Sequence, residues 1–264
     1  QGTGKKYDFK YITTNSEEIF KNSEINSVFI TTRHNDHANK VLKAIESKKH
    51  CFVEKPLCIY EEELEAIKEA YTGETIVQVG FNRRFSPMIE KMKKFISGQI
   101  SVNYRINAGI IPKNVWIQDR TIGGGRIIGE VCHFIDTCSY LIGSEVKSVF
   151  ATTIQKSDQS IPDEDNVNIV LNYANGSTAT ISYYAYGDNS MPKEYIEVFS
   201  SGVSIQMNDF RELTIFKGGK SSKEKSANQD KGFVNEFKAF KEAIKSGNEA
   251  IDMKSIYNTT KTTF

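Results

Sequence analysis

A chain of 264 residues with 39% hydrophobic and 25% charged positions can bury a large core, and its length allows two domains or one large one. A formal charge of +1 speaks against a nucleic-acid surface or a polybasic membrane patch, and no apolar run approaches the ~20 residues of a membrane-spanning helix. The four cysteines (Cys51, Cys58, Cys132 and Cys138) lack CxxC spacing and sit in apolar runs, so they read as reduced, buried thiols of a cytoplasmic protein.

Residues 1–6 are polar and glycine-rich, and Gly2-Thr3-Gly4 has no strand before it to make it a phosphate loop. A short helix is predicted over 16–20, capped by Asn15 or Ser16. Residues 25–32, rich in β-branched and aromatic types, predict a buried strand, and 33–37 a loop. Ala38, Val41, Leu42 and Ile45 recur at helical spacing. A second strand over 52–56, a helix over 61–71 and a third strand over 75–81 follow. Alternating strands and helices with short connections imply right-handed parallel crossovers, half of a doubly wound sheet. No G-x-G-x-x-G follows any of these strands. In a dinucleotide fold that turn follows the first strand, with a ribose-binding acid ~20 residues on. Both are expected upstream of Gln1, so the chain is expected to lack the first βαβ unit and to be inactive alone.

The second strand ends in Val53-Glu54-Lys55-Pro56. Proline cannot continue a ladder, so Glu54 and Lys55 are delivered to the carboxyl edge of the sheet, where open α/β sheets bind ligands. A partly desolvated lysine there suits proton transfer; a surface Glu-Lys pair on a turn is the plain alternative. After a helix over 88–97 and a strand near 104–108, Gly123-Gly124-Gly125 opens a helix that would bury Ile127, Ile128, Val131, Ile135, Cys138 and Ile142. Glu130 and His133 share a face of it. His133 has a plain alternative as a core histidine, Arg83 and Arg84 as helix-leading charges, and Asp136 as a hydrogen-bonding residue. His34 and His37 are not read as metal ligands, because no Cys or carboxylate cluster joins them, and Asp163-Glu164-Asp165 is read as a solvated loop.

Three blocks carry a resemblance. They are Ile30-Thr31-Thr32-Arg33-His34-Asn35-Asp36-His37-Ala38, then Lys49-His50-Cys51-Phe52-Val53-Glu54-Lys55-Pro56-Leu57, and then residues 123–136 with the glycine turn, His133 and Asp136. In their order and spacing the chain resembles the family of glucose–fructose oxidoreductase, inositol dehydrogenase and related sugar dehydrogenases. The resemblance implies an α/β fold: a partial Rossmann parallel sheet over residues 1–82, then a substrate-binding and oligomerisation domain over 83–264 with a large, mostly antiparallel open sheet. It implies NAD or NADP as cofactor and hydride exchange with a hydroxyl carbon of a sugar or polyol. Lys55 and His133 would handle the hydroxyl proton. Thr32, His34, His37, Glu54, Lys55 and Arg83 would border the cofactor, and Arg83, Trp116 and His133 the substrate.

Two departures stand out. Gly129 occupies the place where many members carry an aspartate, which leaves Glu130 as the nearby carboxylate for a catalytic role, although a helix turns it ~100° away. Arg33 and His34 stand where proline and asparagine are usual. The wording of residues 123–136 looks most like a subgroup fused to an upstream alcohol-dehydrogenase-like domain. An NAD-cycling lyase or glycosidase of the same fold, and a non-catalytic binding or assembly module, are the alternative functions.

From residue 148 the chain predicts strands at 149–154, 166–173 (ending in the Asn175-Gly176 turn), 177–184, 194–200, 203–207 and 212–216. Residues 216–230 predict a loop, and 233–245 a closing helix through Val234, Phe237, Phe240 and Ile244. One face of the sheet, rich in Tyr and Thr, is expected to join subunits of a homo-oligomer or to stay solvated.

Overall fold

The computed structural model describes residues 4, 6–154 and 163–264; Gly2, Thr3 and the side chain of Asp163 lie outside them. After a short helix α1 (Glu17–Lys21), strands β1 (Ser27–Ile30), β2 (His50–Val53) and β3 (Val77–Val79) pair in parallel in that order. Helices α2 (His37–Glu46) and α3 (Glu61–Ala70) make the crossovers. Cys51, Phe52 and Val53 of the central strand are buried, as expected where helices cover a parallel sheet. α2 buries Ala38, Val41 and Ala44, and α3 buries Leu64 and Ile67, each apolar side chain contributing roughly 1.5–3 kcal/mol. The start of α3 is sealed by the Glu63 carboxylate, which accepts from the backbone N–H of Ile59 and of Tyr60.

α4 (Pro87–Phe95) begins on Pro87, whose missing N–H costs nothing at a helix start. It leads into β4 (Ser101–Asn107). After α5 (Cys132–Ile142) the strands run β5 (Val146–Thr153), β6 (Asn166–Tyr173), β7 (Thr178–Tyr184), β8 (Glu194–Ser200), β9 (Val203–Asn208), β10 (Glu212–Lys217) and β11 (Lys220–Lys225). They form one sheet in the order β11-β10-β9-β8-β4-β7-β6-β5, antiparallel at every step except β4 beside β7. α5 is buried nearly all round, its polar His133, Asp136, Thr137 and Ser139 included. Cys132 packs into the core of the small sheet, while Phe134, Ile135, Cys138 and Leu141 pack on the large one. The helix is therefore the layer between the two sheets.

The structure differs from the sequence reading in five places, the first being Asp165, read as part of a solvated loop but 1% exposed and accepting from the Gln118 amide at 2.7 Å. Residues 127–131 form a π-helical turn ahead of α5, which leaves Ile127 and Ile128 only half-buried. Within the expected loop, β11 pairs with β10 although all six of its residues are exposed. It is held by backbone bonds and the pairing of Lys223 and Lys225 with Glu212, so it has no hydrophobic signal to read. In α6 (Phe233–Ser246) the buried face is Glu236, Phe240 and Ala243, while Val234 is 66% exposed. Finally, α7 (Met253–Lys261), capped by the Asp252 carboxylate accepting from the Ser255 N–H, returns to the small sheet's core with Ile256. Its buried face is one isoleucine and two threonines, Thr259 and Thr260, too polar a stripe to signal a helix.

Candidate active site

β2 delivers its end residues to the carboxyl edge of the small sheet. The Glu54 N–H still bonds the Ile30 carbonyl at 2.9 Å, and beyond it the Lys55-Pro56 peptide is cis. Leu57 and Cys58, fully buried, anchor the exit. From this edge Lys55 Nζ donates to the Gly129 carbonyl at 2.7 Å, across the gap between the two parts of the chain. Gly129 lies in the π-helical turn, four residues before His133. Lys55 and His133 thus converge on one segment. His133 is 8% exposed, and its Nδ1 is buried with no hydrogen-bond partner among the described residues. Burial, then the positive charges of Arg83, Lys55, Lys193 and Lys231, hold its pKa well below the ordinary histidine value. The ring is held neutral near pH 7, and its Nδ1 is left open to a hydrogen bond from a ligand.

The loop after β1 closes one side. Its Asn35 N–H bonds the Ile122 carbonyl at 3.0 Å, and His34 Nδ1 lies 2.8 Å from the Gly123 carbonyl. Gly123 is required there: a Cβ would fall 2.3 Å from the Ile117 carbonyl oxygen. The His34 ring packs edge-on against Trp116, with centroids 4.8 Å apart, and burial pushes its pKa down to about 4. It also fills the space beside Gly129, where an added Cβ would meet His34 Cε1 at 3.1 Å. The two departures noted in the sequence, at His34 and at Gly129, are therefore in contact. Thr32 is exposed at the end of β1, and Glu54 is half-buried.

Three expected site residues are otherwise engaged. Glu130 points to Arg126, at 2.9 Å, and Lys193, at 2.8 Å, and accepts from the Tyr183 hydroxyl. Burial opposes its ionisation, but the charges of Lys193 and Arg126 overcome this and hold the carboxyl far below the usual range. A carboxylate so strongly held as an anion does not exchange protons near neutrality, so the catalytic role given to Glu130 is corrected to that of a fixed counter-charge. Arg83, 6% exposed, spends its guanidinium fork on Glu194 at 2.8 and 2.9 Å and stacks over Phe134. Its donors are thus largely committed within the protein. His37 is fully buried, with Nδ1 2.6 Å from the Pro56 carbonyl and Nε2 3.1 Å from that of Thr32. It holds together the two loops that border the cofactor edge and presents no ring nitrogen to a ligand. Arg84 likewise closes on Asp136, a structural pair.

The residues the sequence reading missed are Lys193, Glu194 and Lys231, which ring His133 or neutralise its neighbours. Glu194 joins Arg83, Lys231 and Tyr104. No local pattern marks them, because Arg83 and Glu194 lie 111 positions apart.

A small parallel sheet with Lys55 at its carboxyl edge, and His133 on a helix between it and an open, mostly antiparallel sheet, make a two-part α/β fold. Residues 3–81 match the oxidoreductase family's NAD-binding Rossmann fold, and residues 96–205 match the GFO/IDH/MocA C-terminal domain. The chain belongs to the GFO/IDH/MocA oxidoreductase family. It is 30% identical over 220 residues to the uncharacterized oxidoreductase YrbE of Bacillus subtilis (strain 168), covering 79% of this chain and 63% of that one. It is 28% identical over 209 residues to the myo-inositol 2-dehydrogenase of Thermotoga maritima, covering 75% and 61%. The chain thus spans somewhat under two thirds of these relatives' length. Its fold superimposes on levoglucosan dehydrogenase in complex with NADH and levoglucosan with a TM-score of 0.85 at 21% identity, covering 99% of this chain and 82% of that one. It superimposes on the aldose-aldose oxidoreductase of Caulobacter crescentus with a TM-score of 0.83 at 20% identity, covering 98% and 82%. At such identity the likeness establishes the fold.

Proposed function

We propose that the protein is an NAD(P)-dependent oxidoreductase that moves a hydride between nicotinamide and a hydroxyl-bearing carbon of a sugar or polyol. One observation carries this reading: the Lys55 ammonium is tied to the Gly129 carbonyl four residues before His133, whose buried Nδ1 has no partner among the described residues. An unsatisfied buried acceptor beside a positioned cation fits a ligand hydroxyl better than it fits a finished core. The dehydrogenase names of the inositol relatives agree with this assignment.

The cofactor fits the same edge. The exposed Thr32 and half-buried Glu54 and Lys55 border the carboxyl ends of β1 and β2, where open sheets of this kind take nucleotides. When bound, nicotinamide supplies the hydride acceptor or donor. The chain supplies the rest. Lys55 donates to the oxygen of the reacting carbon and stabilises negative charge there, and the neutral His133 takes the hydroxyl proton during oxidation and returns it during reduction. Residues 1–82 serve the cofactor and 83–264 the substrate, with α7 returning to the first part. The exposed Phe150, Phe199 and Phe216, which share one face, support subunit pairing through the large sheet, and the four free, buried cysteines suit a reducing cytoplasm.

The test is Lys55→Met in the full-length protein, assayed by nicotinamide absorbance with a panel of inositols and aldoses. Turnover should fall by about 10²–10⁴-fold while the circular dichroism spectrum is unchanged. Undiminished turnover would remove Lys55 from the mechanism.

A further inference from the structure

The segment carrying His133 is ringed by cations. Lys55 is bonded to Gly129, Arg126 and Lys193 to Glu130, and Arg83 lies 4.9 Å over the Phe134 ring, with Lys231 at 2.8 Å from the carboxylate that Arg83 shares. Arg126 and Arg83 are buried, and Lys231 is nearly so. Glu130 and Glu194 are the carboxylates bonded to this set. Five cations against two anions leave a surplus of three. Counting as fully ionised Glu54, next to Lys55, Asp165, whose charge reaches Arg126, and Asp136, which reaches Arg83 and brings its partner Arg84 with it, still leaves six against five.

Like charges gathered in a partly desolvated place repel one another, and a folded chain tolerates this best where a ligand brings the missing negative charge. After burial, four of these cations (Arg83, Lys55, Lys193 and Lys231) depress the pKa of His133, so their field is felt at the proposed reacting centre. Space for a charged substituent is at hand. Lys193 also lines a hollow of ≈ 640 Å³, where Arg211 and Lys225 stand opposite the carboxylates Asp209 and Glu212.

Building on the oxidoreductase reading of this site, we infer that its substrate is an anionic sugar. It carries a carboxylate or a phosphate, which is drawn to the positive charge that Lys55, Lys193, Lys231, Arg83 and Arg126 place around His133. Lys193 is the specificity-determining cation, because its side chain is the one that spans Glu130 and the hollow.

The experiment is calorimetric titration of the NAD-saturated full-length protein with D-glucuronate, D-glucose 6-phosphate and D-glucose. At least one anionic probe should bind about tenfold or more tightly than glucose at low salt, equivalent to about 1.4 kcal/mol. The advantage should shrink as salt is added, and it should fall to about threefold or less in Lys193→Met. The two anions separate a carboxylate preference from a phosphate preference. The salt series on the unaltered protein keeps the test valid if the variant misfolds. Glucose binding as tightly as both anions overturns the inference, as does an anion advantage insensitive to salt, or no binding by any of the three. Hydride transfer is followed separately. Anion-selective binding without nicotinamide reduction defeats the dehydrogenase reading alone, whereas reduction by neutral sugars without anion preference defeats the charge inference alone.

Discussion

At the scale of single residues, the site depends on which groups are committed and which are left free. Arg83, Glu130 and His37 have the chemistry of catalytic side chains, yet each is saturated by partners within the protein. Breaking such a buried pair strands the other charge at a cost of about 3–5 kcal/mol, so these groups hold the structure around the site. Lys55 and His133 keep unused capacity. His34 lies between these cases: Gly123 fixes its tautomer by accepting from Nδ1, and burial holds the ring neutral down to about pH 4. Its folded pKa is depressed below the ordinary 6.5, so its contribution to stability is complete above pH 6.5 and is lost as pH falls toward 4. Thermal melting of His34→Asn across pH 4–7 should therefore show a shallower acid-side decline than the parent protein. Equal slopes would mean that His34 titrates normally.

At the scale of elements, the glycine turn and the π-helical turn work as one hinge-free corner. The turn at Gly123 approaches the Ile117 carbonyl so closely that any side chain must displace backbone. The same residue's carbonyl receives His34, and the neighbouring Ile122 carbonyl receives the Asn35 N–H. Gly123→Ala is expected to cost about 1–3 kcal/mol in chemical denaturation, in the manner of an overpacked core. It should also lower turnover more than stability alone explains, since the corner sets where the Gly129 carbonyl meets Lys55. A variant as stable and active as the parent would show that the corner can relax. The π-turn widens the helix by one residue, which aims Glu130 at Lys193 while α5 carries His133 inward.

At the scale of the molecule, the carboxyl-terminal α7 completes the amino-terminal core. Ile256, fully buried, packs in the same cluster as Val53, Leu64 and Ile67. Ile256→Ala should cost about 2–5 kcal/mol, and hydrogen exchange should show that loss on the amides of β2 as well as on α7 itself. Weakened protection confined to α7 would mean that the two parts unfold independently. With α5 sandwiched between the sheets and α7 closing the circuit, the carboxyl-terminal part holds the amino-terminal part in register, and Lys55 and His133 keep their spacing as a consequence.

Much of this was legible in the sequence because it is written in short-range periodicity. The alternation of strands and helices through β3, the strands of the large sheet, and the delivery of Lys55 to a sheet edge by Pro56 all follow from neighbours within a few residues. What the order of residues did not reveal was pairing between distant ones. Examples are Arg83 with Glu194, Glu130 with Lys193, His34 lying against Gly129, and α7 returning to the first core. The exposed β11 was equally silent, since a strand held by backbone bonds and surface charge leaves no hydrophobic alternation to read. Local pattern therefore determined the elements and nominated the lysine and the histidine. Only the tertiary structure decided which charged groups are spent on one another and which remain for a ligand, because burial and charge neutralisation depend on distances in space that sequence separation does not encode.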